Sequence, residues 1–405
     1  MSIFVKKNEL TIISYSNTIN NNKYIIYGEV IDVYNYFKKY FNNVFIIEQP
    51  MPGEISLKVN YINKKISNSF ILTLINKYIE FFILNKLNRN KTSILLKLRD
   101  FCSVINYVMR SNFIGSNYFL AVESVNCLAL ILYKKILKKN IIIIYFCNDY
   151  VPNRYGFFLD KLYNILDKIC SYNSDYNVLM NMSINEFREK LGFDLNKIRN
   201  LYDISGGIIM YEKNEKIIKR KLSNKVKLIY ASRDVHYGLD FAIRLVYKLN
   251  DEGINSVLTI TGFCEFKDIN VVLNRYRLKY NENYVVLKGF LETSELNYVI
   301  EKSDIGLAFY PNNTNSSAFL GDPEKIRRYY NYGIPIIACG IGNNLENIEI
   351  NSCGFLCQSN LNSIFMNTLY IIKNPELYHS MSLNSFNQGL NFLYNDKFEK
   401  FLYSL

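Results

Sequence analysis

Short apolar runs alternate with longer amphipathic segments through the second half of the chain, and this alternation predicts its fold. Five apolar runs are predicted strands, at 226–231, 257–261, 284–287, 305–309 and 334–338. The segments between them have helical periodicity, most clearly at 237–250 and 294–302. Strands that alternate with helices of this length are typical of a parallel, doubly wound sheet, so we predict a Rossmann-like α/β domain.

The first half shows the same alternation. Predicted strands lie at 9–14, 44–48, 118–122, 140–146 and 176–180, and predicted helices at 28–41, 71–88, 124–138 and 183–191. The run at 140–146 is almost continuously apolar, which suits a central parallel strand covered on both faces. Segment 71–88 is interpreted as a core-facing amphipathic helix, with a partner-binding or membrane-binding face as the alternative.

The length and composition predict two domains. A chain of 405 residues allows two domains of ordinary size, and a hydrophobic content of 49% can fill two cores. The break Ser205-Gly206-Gly207 and the basic stretch at 213–227 mark the predicted junction. We predict an N-terminal domain at 1–204 and a C-terminal domain at 205–387, both Rossmann-like.

The stretch 321–338 combines a loop, a helix and a buried strand. Asp322 can cap the helix, Pro323 suits its first position, and Gly333 ends it. A helix N-terminus favours anions, so Lys325 in the first turn is unfavourable for the helix alone. This lysine is explained if an anion docks beside it. The alternative is a solvated lysine in an ordinary α/β unit.

Two segments resemble a known family. Asp322-Pro323-Glu324-Lys325-Ile326, followed by Tyr and by Gly333-Ile334-Pro335-Ile336-Ile337, looks like the donor-side motif of GT-B glycosyltransferases of the family-four type. The run 141–154, followed by 162–170, resembles the N-terminal domain of bacterial surface-polysaccharide transferases. The resemblance implies two Rossmann-like domains that face a cleft, the GT-B fold, with residues 388–405 crossing back to the first domain.

The resemblance also implies the site residues. In that family the helix after Asp322 holds the diphosphate and ribose of a nucleotide-sugar. Two predicted catalytic cations, Arg233 and Lys325, would stabilise the leaving diphosphate. The third predicted catalytic residue, Asp149, follows the strand at 140–146, where it could accept a sugar hydroxyl or support developing positive charge; a capping or turn role is the alternative. The predicted donor-binding residues are Gly262, Phe290, Asp322, Glu324 and Arg328, and Arg154 is the predicted acceptor-side residue.

Two positions depart from the family pattern. Tyr237 stands where the family usually has a lysine that binds phosphate. Arg328 stands where it usually has a glutamate that binds ribose, five residues before Gly333. Glu324 lies one turn earlier and cannot be assumed to substitute.

The charge bears on the kind of partner, and the cysteine and histidine content bears on disulfide and metal sites. The formal charge of +12 suits nucleic acid, an anionic membrane surface or phosphorylated substrates, and it does not choose among them. No nucleic-acid module is recognisable, so no nucleic-acid partner is predicted. The eight cysteines form no CxxC pair and the chain has two histidines, which argues against a disulfide framework or a zinc site. No cofactor is predicted, because a nucleotide-sugar is itself a substrate.

Localisation is predicted from the absence of targeting features. The first residues lack a basic leader and an apolar core, and no apolar run reaches about 18 residues. We predict a cytoplasmic protein, with peripheral contact at the inner face of an anionic membrane as an open alternative. The helix end with Lys134, Lys135, Lys138 and Lys139 is interpreted as a solvated cap, and a patch for anionic lipid is its alternative.

The sequence as a whole predicts a hexosyltransferase-like glycosyltransferase. It would move a sugar from a nucleotide-sugar to a glycan or lipid-linked acceptor, with retention and without a metal, in polysaccharide or glycoconjugate biosynthesis. Three alternatives stay open: a sugar-nucleotide epimerase, a non-catalytic sugar-nucleotide-binding or assembly protein, and a nucleic-acid-binding protein.

Overall fold

The computed structural model describes residues 7–19, 22–25, 33–34, 36–50, 59–62, 89–110, 117–147, 150–151, 157–204, 220–232, 238–262, 264–310, 312, 317–321, 324–391 and 394–405. Helices and strands are numbered in chain order within these residues. The chain divides into two compact units, residues 1–209 with 397–405, and residues 210–396. The predicted domain boundaries, 204/205 and 387/388, stay predictions.

The first unit is built on one sheet. Its strands are β1 (Lys7–Ile19), β2 (Asn22–Ile25), β3 (Phe41–Pro50), β4 (Asn60–Ile62), β5 (Asn117–Val122), β6 (Ile141–Cys147), β7 (Tyr176–Leu179) and β8 (Leu201–Asp203). The order is β4-β3-β1-β5-β6-β7-β8, with β2 beside β1. β2 and β4 run antiparallel to their neighbours, and the other six strands are parallel. The apolar run at 140–146 is the buried central strand β6, as predicted.

In the described residues of the first unit, four complete α-helices lie between these strands, and residues 33–34 and 36–37, within the predicted helix at 28–41, are also helical. The four are α1 (Arg89–Arg110), α2 (Ser124–Ile136), α3 (Phe157–Asn173) and α4 (Ser183–Lys190). The sequence pattern missed both α1 and β8. Phe41, the predicted end of a helix, begins β3, because it pairs with Lys7 of β1. The predicted helix at 71–88 lies outside the described residues.

The second unit is a sheet of six parallel strands in its described residues. They are β9 (Val226–Ser232), β10 (Ser256–Gly262), β11 (Val285–Gly289), β12 (Ile305–Phe309), β13 (Ile336–Cys339) and β14 (Gly354–Cys357). The order is β11-β10-β9-β12-β13-β14. Counted from β9 this is 3-2-1-4-5-6, the strand order of dinucleotide-binding folds. The predicted doubly wound sheet is confirmed, and β14 is a strand that the pattern missed.

Helices cover the second sheet. They are α5 (Leu239–Asp251), α6 (Phe266–Arg275), α7 (Thr293–Glu301), α8 (Ser317–Leu320), α9 (Glu324–Asn331), α10 (Asn347–Ile350), α11 (Leu361–Lys373) and α12 (Pro375–Leu390). The predicted helix at 294–302 is α7, within one residue at each end. α9 is the helix expected after Asp322 and Pro323, and both of these residues lie outside the described part of the chain.

The last helix, α13 (Tyr394–Ser404), returns to the first unit as expected. Phe401 is buried and packs edge-on against Phe37 and Tyr202. The hydroxyl of Tyr176 in β7 donates a hydrogen bond of 2.6 Å to the carbonyl oxygen of Ser404. The C-terminal residues therefore complete the core of the first unit.

None of the described helices combines the length and the apolar character needed to cross a membrane. Within the same residues, no group of three or more His, Cys, Asp or Glu side chains could hold a metal ion. All eight cysteines are free thiols, and seven of them are buried. Burial raises the pKa of Cys339 and of Cys353 to about 11, so both thiols stay protonated at neutral pH.

Candidate functional site

Two neighbouring strands of the second sheet part at their carboxyl ends. The β9–β12 ladder ends at the pair Ile229 and Gly306, although both strands continue. Beyond it, β9 stays paired with β10 up to Ser232, and β12 with β13 up to Phe309. The chain order reverses at the same place, so this is the topological switch point, where open α/β sheets bind ligands. We call it the β9–β12 crevice.

Helix α9 is fastened into the β9–β12 crevice by Tyr329. Its hydroxyl accepts a hydrogen bond from the backbone N–H of Ala231 and lies 3.3 Å from the carbonyl oxygen of Leu307, so it contacts both parted strands. A Cβ on Gly306 would lie 2.5 Å from the Tyr329 ring, so this position requires glycine. Burial raises the pKa of Tyr329, and the hydroxyl therefore stays protonated.

Lys325 lies one turn before Tyr329, on the same face of α9. Its Nζ lies 5.5 Å from the ring centroid of Tyr230 near the end of β9, and 5.0 Å from that of Tyr310 directly after β12. Cation–π attraction to two rings holds the charge at the carboxyl edge of the sheet. The lysine is thus placed at the switch point, and its role toward an anion stays a prediction.

Two glycines let the backbone pass close to the aromatic residues of this crevice. Gly238, before α5, has a φ of 82°, and a Cβ there would lie 2.5 Å from the Cβ of Phe309. Gly340, after β13, has a φ of 97°, and its Cβ would lie 2.0 Å from the carbonyl oxygen of Tyr310. Both positions therefore need glycine for conformation and for space. The contact with Gly340 fixes the backbone that carries one of the two rings beside Lys325.

Two of the predicted donor-binding residues, Gly262 and Phe290, lie at the carboxyl ends of strands of the same sheet. Gly262 ends β10 in register with Ser232 of β9, and its φ of 112° is a conformation that glycine adopts readily. Phe290 follows β11, the outermost strand, and its side chain is exposed. The structure thus brings Gly262 beside the end of β9 and places Phe290 at the margin of the sheet.

Arg328 is buried and makes contacts within the second unit. Its Nε donates a hydrogen bond of 2.8 Å to Oε1 of Glu324, and its Nη2 forms an ion pair with the same oxygen. Its Nη1 donates a hydrogen bond of 2.7 Å to Oδ1 of Asn297 in α7. The guanidinium therefore links the first turn of α9 to α7 and holds the Glu324 carboxylate in one position.

Four of the predicted site residues, Asp149, Arg154, Arg233 and Asp322, lie outside the described residues, as does Tyr237. Their roles stay predictions. Tyr150, next to Asp149, is buried, and its hydroxyl donates a hydrogen bond of 2.7 Å to Oδ1 of Asn164 in α3. The chain that leads out of β6 is thus anchored on α3.

The first sheet has a corresponding switch point. The ladder between β1 and β5 ends at the pair Ile13 and Ala121, while β1 stays paired with β3 as far as Ser16. Tyr15 and Glu123 each lie two residues past this pair, and they meet there. The Tyr15 hydroxyl lies 3.4 Å from Oε2 of Glu123. We call this place the β1–β5 crevice.

Glu123 has a backbone conformation that is unusual for a residue with a side chain. It has φ 68° and ψ 155°, a region that glycine occupies almost alone and that costs on the order of 1–3 kcal/mol. Lys97 of α1 forms an ion pair with its carboxylate and also lies over the Tyr15 ring. The strained Glu123 thus places its carboxylate at a switch point, paired with the ammonium group of Lys97.

A buried polar network supports this crevice. Asn126 of α2 donates a hydrogen bond of 2.8 Å to the carbonyl oxygen of Val122 and one of 3.4 Å to the Tyr15 hydroxyl. Gln49 of β3 in turn donates to Oδ1 of Asn126 at 2.9 Å and to the Ser103 hydroxyl at 3.0 Å. The residues that hold Glu123 and Tyr15 therefore come from two helices and two strands.

The sequence analysis did not identify Glu123, Lys97 or the two rings beside Lys325. One signal was present for Glu123: it directly follows the predicted strand at 118–122, where parallel sheets place ligand-binding groups. No sequence rule pairs Lys325 with Tyr230, which is far from it along the chain.

The fold can now be compared with known structures. The pneumococcal O-GlcNAc transferase GtfA, solved in complex with UDP and GlcNAc, superposes with a TM-score of 0.58 at 16% identity, over 74% of this chain and 58% of that chain. WaaG, a glycosyltransferase involved in lipopolysaccharide biosynthesis, superposes with a TM-score of 0.60 at 10% identity, over 97% of this chain and 98% of that chain. The fold is GT-B.

A third similar structure is described with a different activity. It is a putative UDP-N-acetylglucosamine 2-epimerase from Listeria monocytogenes, with a TM-score of 0.55 and 11% identity over 96% of this chain and 94% of that chain. The chain spans about 58% of the length of GtfA. No family model and no curated protein matches the chain. At these identities the likeness shows the GT-B fold alone.

Proposed function

We propose that this protein is a glycosyltransferase that takes its sugar from a nucleotide-sugar, with UDP as the expected nucleotide. The observation that carries the proposal is the Lys325 ammonium group at the β9–β12 crevice, beside the rings of Tyr230 and Tyr310. UDP is expected because two of the neighbours above carry UDP or a UDP-sugar in their descriptions.

Lys325 would stabilise the leaving diphosphate. It lies in the first turn of α9, whose backbone amides carry partial positive charge, so a diphosphate there meets a cation and several hydrogen-bond donors. Negative charge on the diphosphate grows as the sugar leaves, so these groups bind the transition state more strongly than the substrate. Arg233 is the second cation in the proposal, on the resemblance alone.

Glu324 would bind the ribose hydroxyls in place of the missing family glutamate. Its carboxylate is held by Arg328, which is held in turn by Asn297. A carboxylate fixed by a guanidinium cannot turn away from its ligand without breaking two charge-assisted contacts. In this proposal the arginine at the family position orients the acid one turn earlier.

The β1–β5 crevice would take the acceptor. Glu123 supplies a carboxylate that can accept a hydrogen bond from a sugar hydroxyl, and Asp149 and Arg154 are the further acceptor-side candidates. In the transfer, the bond between the anomeric carbon and the phosphate oxygen breaks and leaves its electron pair on that oxygen. The acceptor oxygen bonds to the anomeric carbon, and its proton passes to the departing phosphate. This front-face route retains configuration and uses no metal.

The expected acceptor is a glycan or a lipid-linked intermediate of surface-polysaccharide synthesis, and the transferred sugar a hexose. WaaG, whose chain is covered over 98% of its length, is described as involved in lipopolysaccharide biosynthesis. The alternative activity is epimerisation, because one neighbour is described as a putative epimerase. The two differ in product: a transferase releases UDP, whereas an epimerase returns an isomeric UDP-sugar.

Thermal unfolding with UDP, GDP, ADP and CMP sugars tests the proposal. A ligand at about 100 times its dissociation constant should stabilise the protein by about 2.7 kcal/mol. We expect a shift with UDP sugars that is lost in Lys325→Ala and in Arg233→Ala. Lys302→Ala is the matched control, since Lys302 also lies over a tyrosine ring of the second unit, at the end of α7.

Three results would count against the proposal. No shift with any nucleotide-sugar would indicate a non-catalytic protein of the same fold. An equal loss in Lys302→Ala would mean that Lys325 has no special role. An isomerised UDP-sugar without UDP release would establish the epimerase instead.

A further inference from the structure

An open cavity of about 630 Å³ lies at the edge of the second sheet where β10 and β11 begin. The end of α5 contributes Tyr247 and Asp251, which are four residues apart and therefore on one face of the helix. The other lining residues are 277–284, between α6 and β11. Because β10 spans seven residues, roughly 20 Å separates this edge from the carboxyl edge with the β9–β12 crevice. We call this place the α5–β11 cavity.

Tyr280 presents an exposed ring that is fixed in place. The side chain is 44% exposed, and its ring packs edge-to-face with Phe266 of α6, with the ring centroids 5.0 Å apart. Its hydroxyl donates a hydrogen bond of 3.3 Å to the carbonyl oxygen of Val285. Because the hydroxyl is bonded within the protein, the exposed part of the side chain is the flat apolar ring. Such a ring can stack on the C–H face of a pyranose sugar at little cost in side-chain freedom.

Two further tyrosines support the wall of the cavity. The Tyr247 hydroxyl donates a hydrogen bond of 2.5 Å to the carbonyl oxygen of Lys279. The Tyr247 ring packs edge-to-face with that of Tyr284, with the centroids 5.3 Å apart. The turn between them is fixed by Asn281, whose Oδ1 accepts a hydrogen bond of 2.9 Å from the backbone N–H of Asn283. The lining segment is therefore preorganised for a ligand.

Arg277 occupies a position where a helix commonly ends in glycine. It follows α6 with a φ of 55°, and its N–H donates to the carbonyl oxygen of Asn274, while the N–H of Leu278 donates to that of Leu273. The end of α5 has the same hydrogen-bond pattern, and there Gly253 takes the left-handed conformation. The arginine therefore carries backbone strain beside the cavity, and such strain clusters at binding sites.

The lining of the cavity has equal numbers of positive and negative groups. The cations are Arg277 and Lys279, and the acids are Asp251 and Glu282. Among the described residues, none of these four side chains forms an ion pair, so they can hydrogen-bond to a ligand. A phosphate would meet two carboxylates as well as two cations. A sugar hydroxyl can donate to the carboxylates and accept from the cations. The charges therefore favour a neutral polyol over an anion.

We propose that the α5–β11 cavity is a binding site for a neutral glycan. One pyranose ring would stack on Tyr280. Its hydroxyl groups would donate hydrogen bonds to the two carboxylates and accept them from Arg277 and Lys279. The site would hold a glycan chain on the second unit without reacting with it. The proposal goes beyond the proposed function and does not depend on it, because it uses no residue of either crevice.

Titration of the full chain, followed by saturation-transfer NMR, tests the site with maltohexaose, cellohexaose, mannohexaose and N-acetylchitohexaose as probes. We expect at least one of them to bind with a dissociation constant of about 1 mM or below. Tyr280→Ala should weaken this binding by about tenfold, and Tyr280→Phe should keep it, because the ring remains. Tyr370→Ala is the matched control, a 55% exposed tyrosine of α11 whose ring packs with Phe355, and it should leave binding unchanged.

Arg277→Gly tests strain and binding together. Glycine relieves the left-handed backbone, so the variant should melt at a higher temperature than wild type. It should also bind the glycan about tenfold more weakly, because a hydrogen bond from a charged group is lost. Asp251→Asn, at an exposed position, should weaken binding as well, and it tests the site even if Tyr280→Ala fails to fold.

The proposal is wrong if none of the four glycans binds, or if Tyr280→Ala and Asp251→Asn both bind them as well as wild type. It is also wrong if Glu123→Gln loses the binding and Tyr280→Ala keeps it, because the glycan then occupies the β1–β5 crevice alone. Competition by inorganic phosphate would overturn it too, since the site would then take an anion. UDP stabilisation should be the same in Tyr280→Ala and Tyr370→Ala, so a failure of donor binding is seen separately.

Discussion

The two sheets part in the same way at their switch points but fill the opening with different groups. In the β9–β12 crevice, the Tyr329 hydroxyl contacts both strands, and glycines admit close backbone contacts. In the β1–β5 crevice, Tyr15, Glu123 and Lys97 meet over a buried polar network. In the part of the chain that the structure describes, rings pack around Lys325 in the first crevice, and an ion pair on a strained backbone lies in the second.

The difference indicates what each crevice can bind. The contacts of Lys325 with its two rings are weak beside a charge-assisted bond to an anion, because cation–π attraction is worth only about 0.5–2 kcal/mol. A carboxylate in an ion pair, held by a hydroxyl as well, is placed to accept hydrogen bonds from a neutral polyol. The contrast therefore supports a diphosphate at the β9–β12 crevice and hydroxyl groups at the β1–β5 crevice. Four predictions can break or sharpen it.

The largest effect is expected for Gly340→Ala. The new Cβ would lie 2.0 Å from the carbonyl oxygen of Tyr310, and the backbone has a φ of 97°. Because neither backbone segment can yield without disturbing the β12–β13 ladder, we expect a loss of more than about 4 kcal/mol in the free energy of unfolding. Urea unfolding measures it.

Gly253→Ala is the control for this prediction. Gly253 has a similar φ of 80°, but a Cβ there meets nothing within 4 Å. The substitution therefore carries backbone strain alone and should cost about 1 kcal/mol. Similar losses in both variants would show that the close approach of Gly340 to Tyr310 is unimportant.

The next largest effect is expected for Lys325→Ala, as a fall in kcat/KM. Removing one group that stabilises developing charge typically costs about 3 kcal/mol, so kcat/KM for a UDP sugar should fall on the order of 100-fold. Stability should change little, since the lysine lies at the edge of the sheet. Steady-state kinetics measures the loss.

Lys97→Ala should leave UDP binding intact and reduce transfer alone, and a loss of UDP binding there would contradict the assignment of the two crevices.

The sequence predicted the strands of both crevices better than their chemistry. Alternating apolar runs identified β9, β10, β12 and β13 because each is a short buried strand between helices. Lys325 was found because a cation in the first turn of a helix opposes the helix dipole. The contacts with Tyr230 and Tyr310 were not predictable, since they join residues brought together only by the fold.

The sequence failed most clearly in the first unit. Helix α1 was missed because it buries Arg99 and Asp100 beside its apolar residues, so its pattern does not look like a simple amphipathic helix. Glu123 was missed because its strain is a property of backbone angles. A glutamate between a strand and a helix is otherwise unremarkable in sequence.

A smaller effect is expected at Arg328. If Arg328 orients Glu324 toward the ribose, then Arg328→Ala and Glu324→Gln should both weaken the preference for UDP over 2′-deoxy-UDP. A hydrogen bond to a charged group is worth about 1.5 kcal/mol, which is roughly tenfold in the ratio of dissociation constants. Calorimetric titration with both nucleotides measures it. Glu376→Gln is the control, an exposed first-turn glutamate of α12. An unchanged preference in both variants would remove Glu324 from the site.

The smallest expected effect is a difference of about 1 kcal/mol in the free energy of unfolding between Glu123→Gly and Glu123→Ala. Both variants lose the carboxylate, so both should lose transfer while keeping UDP binding. Glycine relieves the strain at φ 68° and ψ 155°, which is worth about 1–3 kcal/mol. It also loses more backbone entropy on folding than alanine does, which costs about 0.5–1 kcal/mol. The glycine variant should therefore be the more stable of the two in thermal unfolding. The control is Val125, in the first turn of α2. There Val125→Ala should be more stable than Val125→Gly, because alanine has the higher helix propensity. If Glu123→Ala is instead the more stable variant, the backbone at Glu123 is not strained. The two crevices would then differ only in the groups beside the charge, an ion pair in one and aromatic rings in the other.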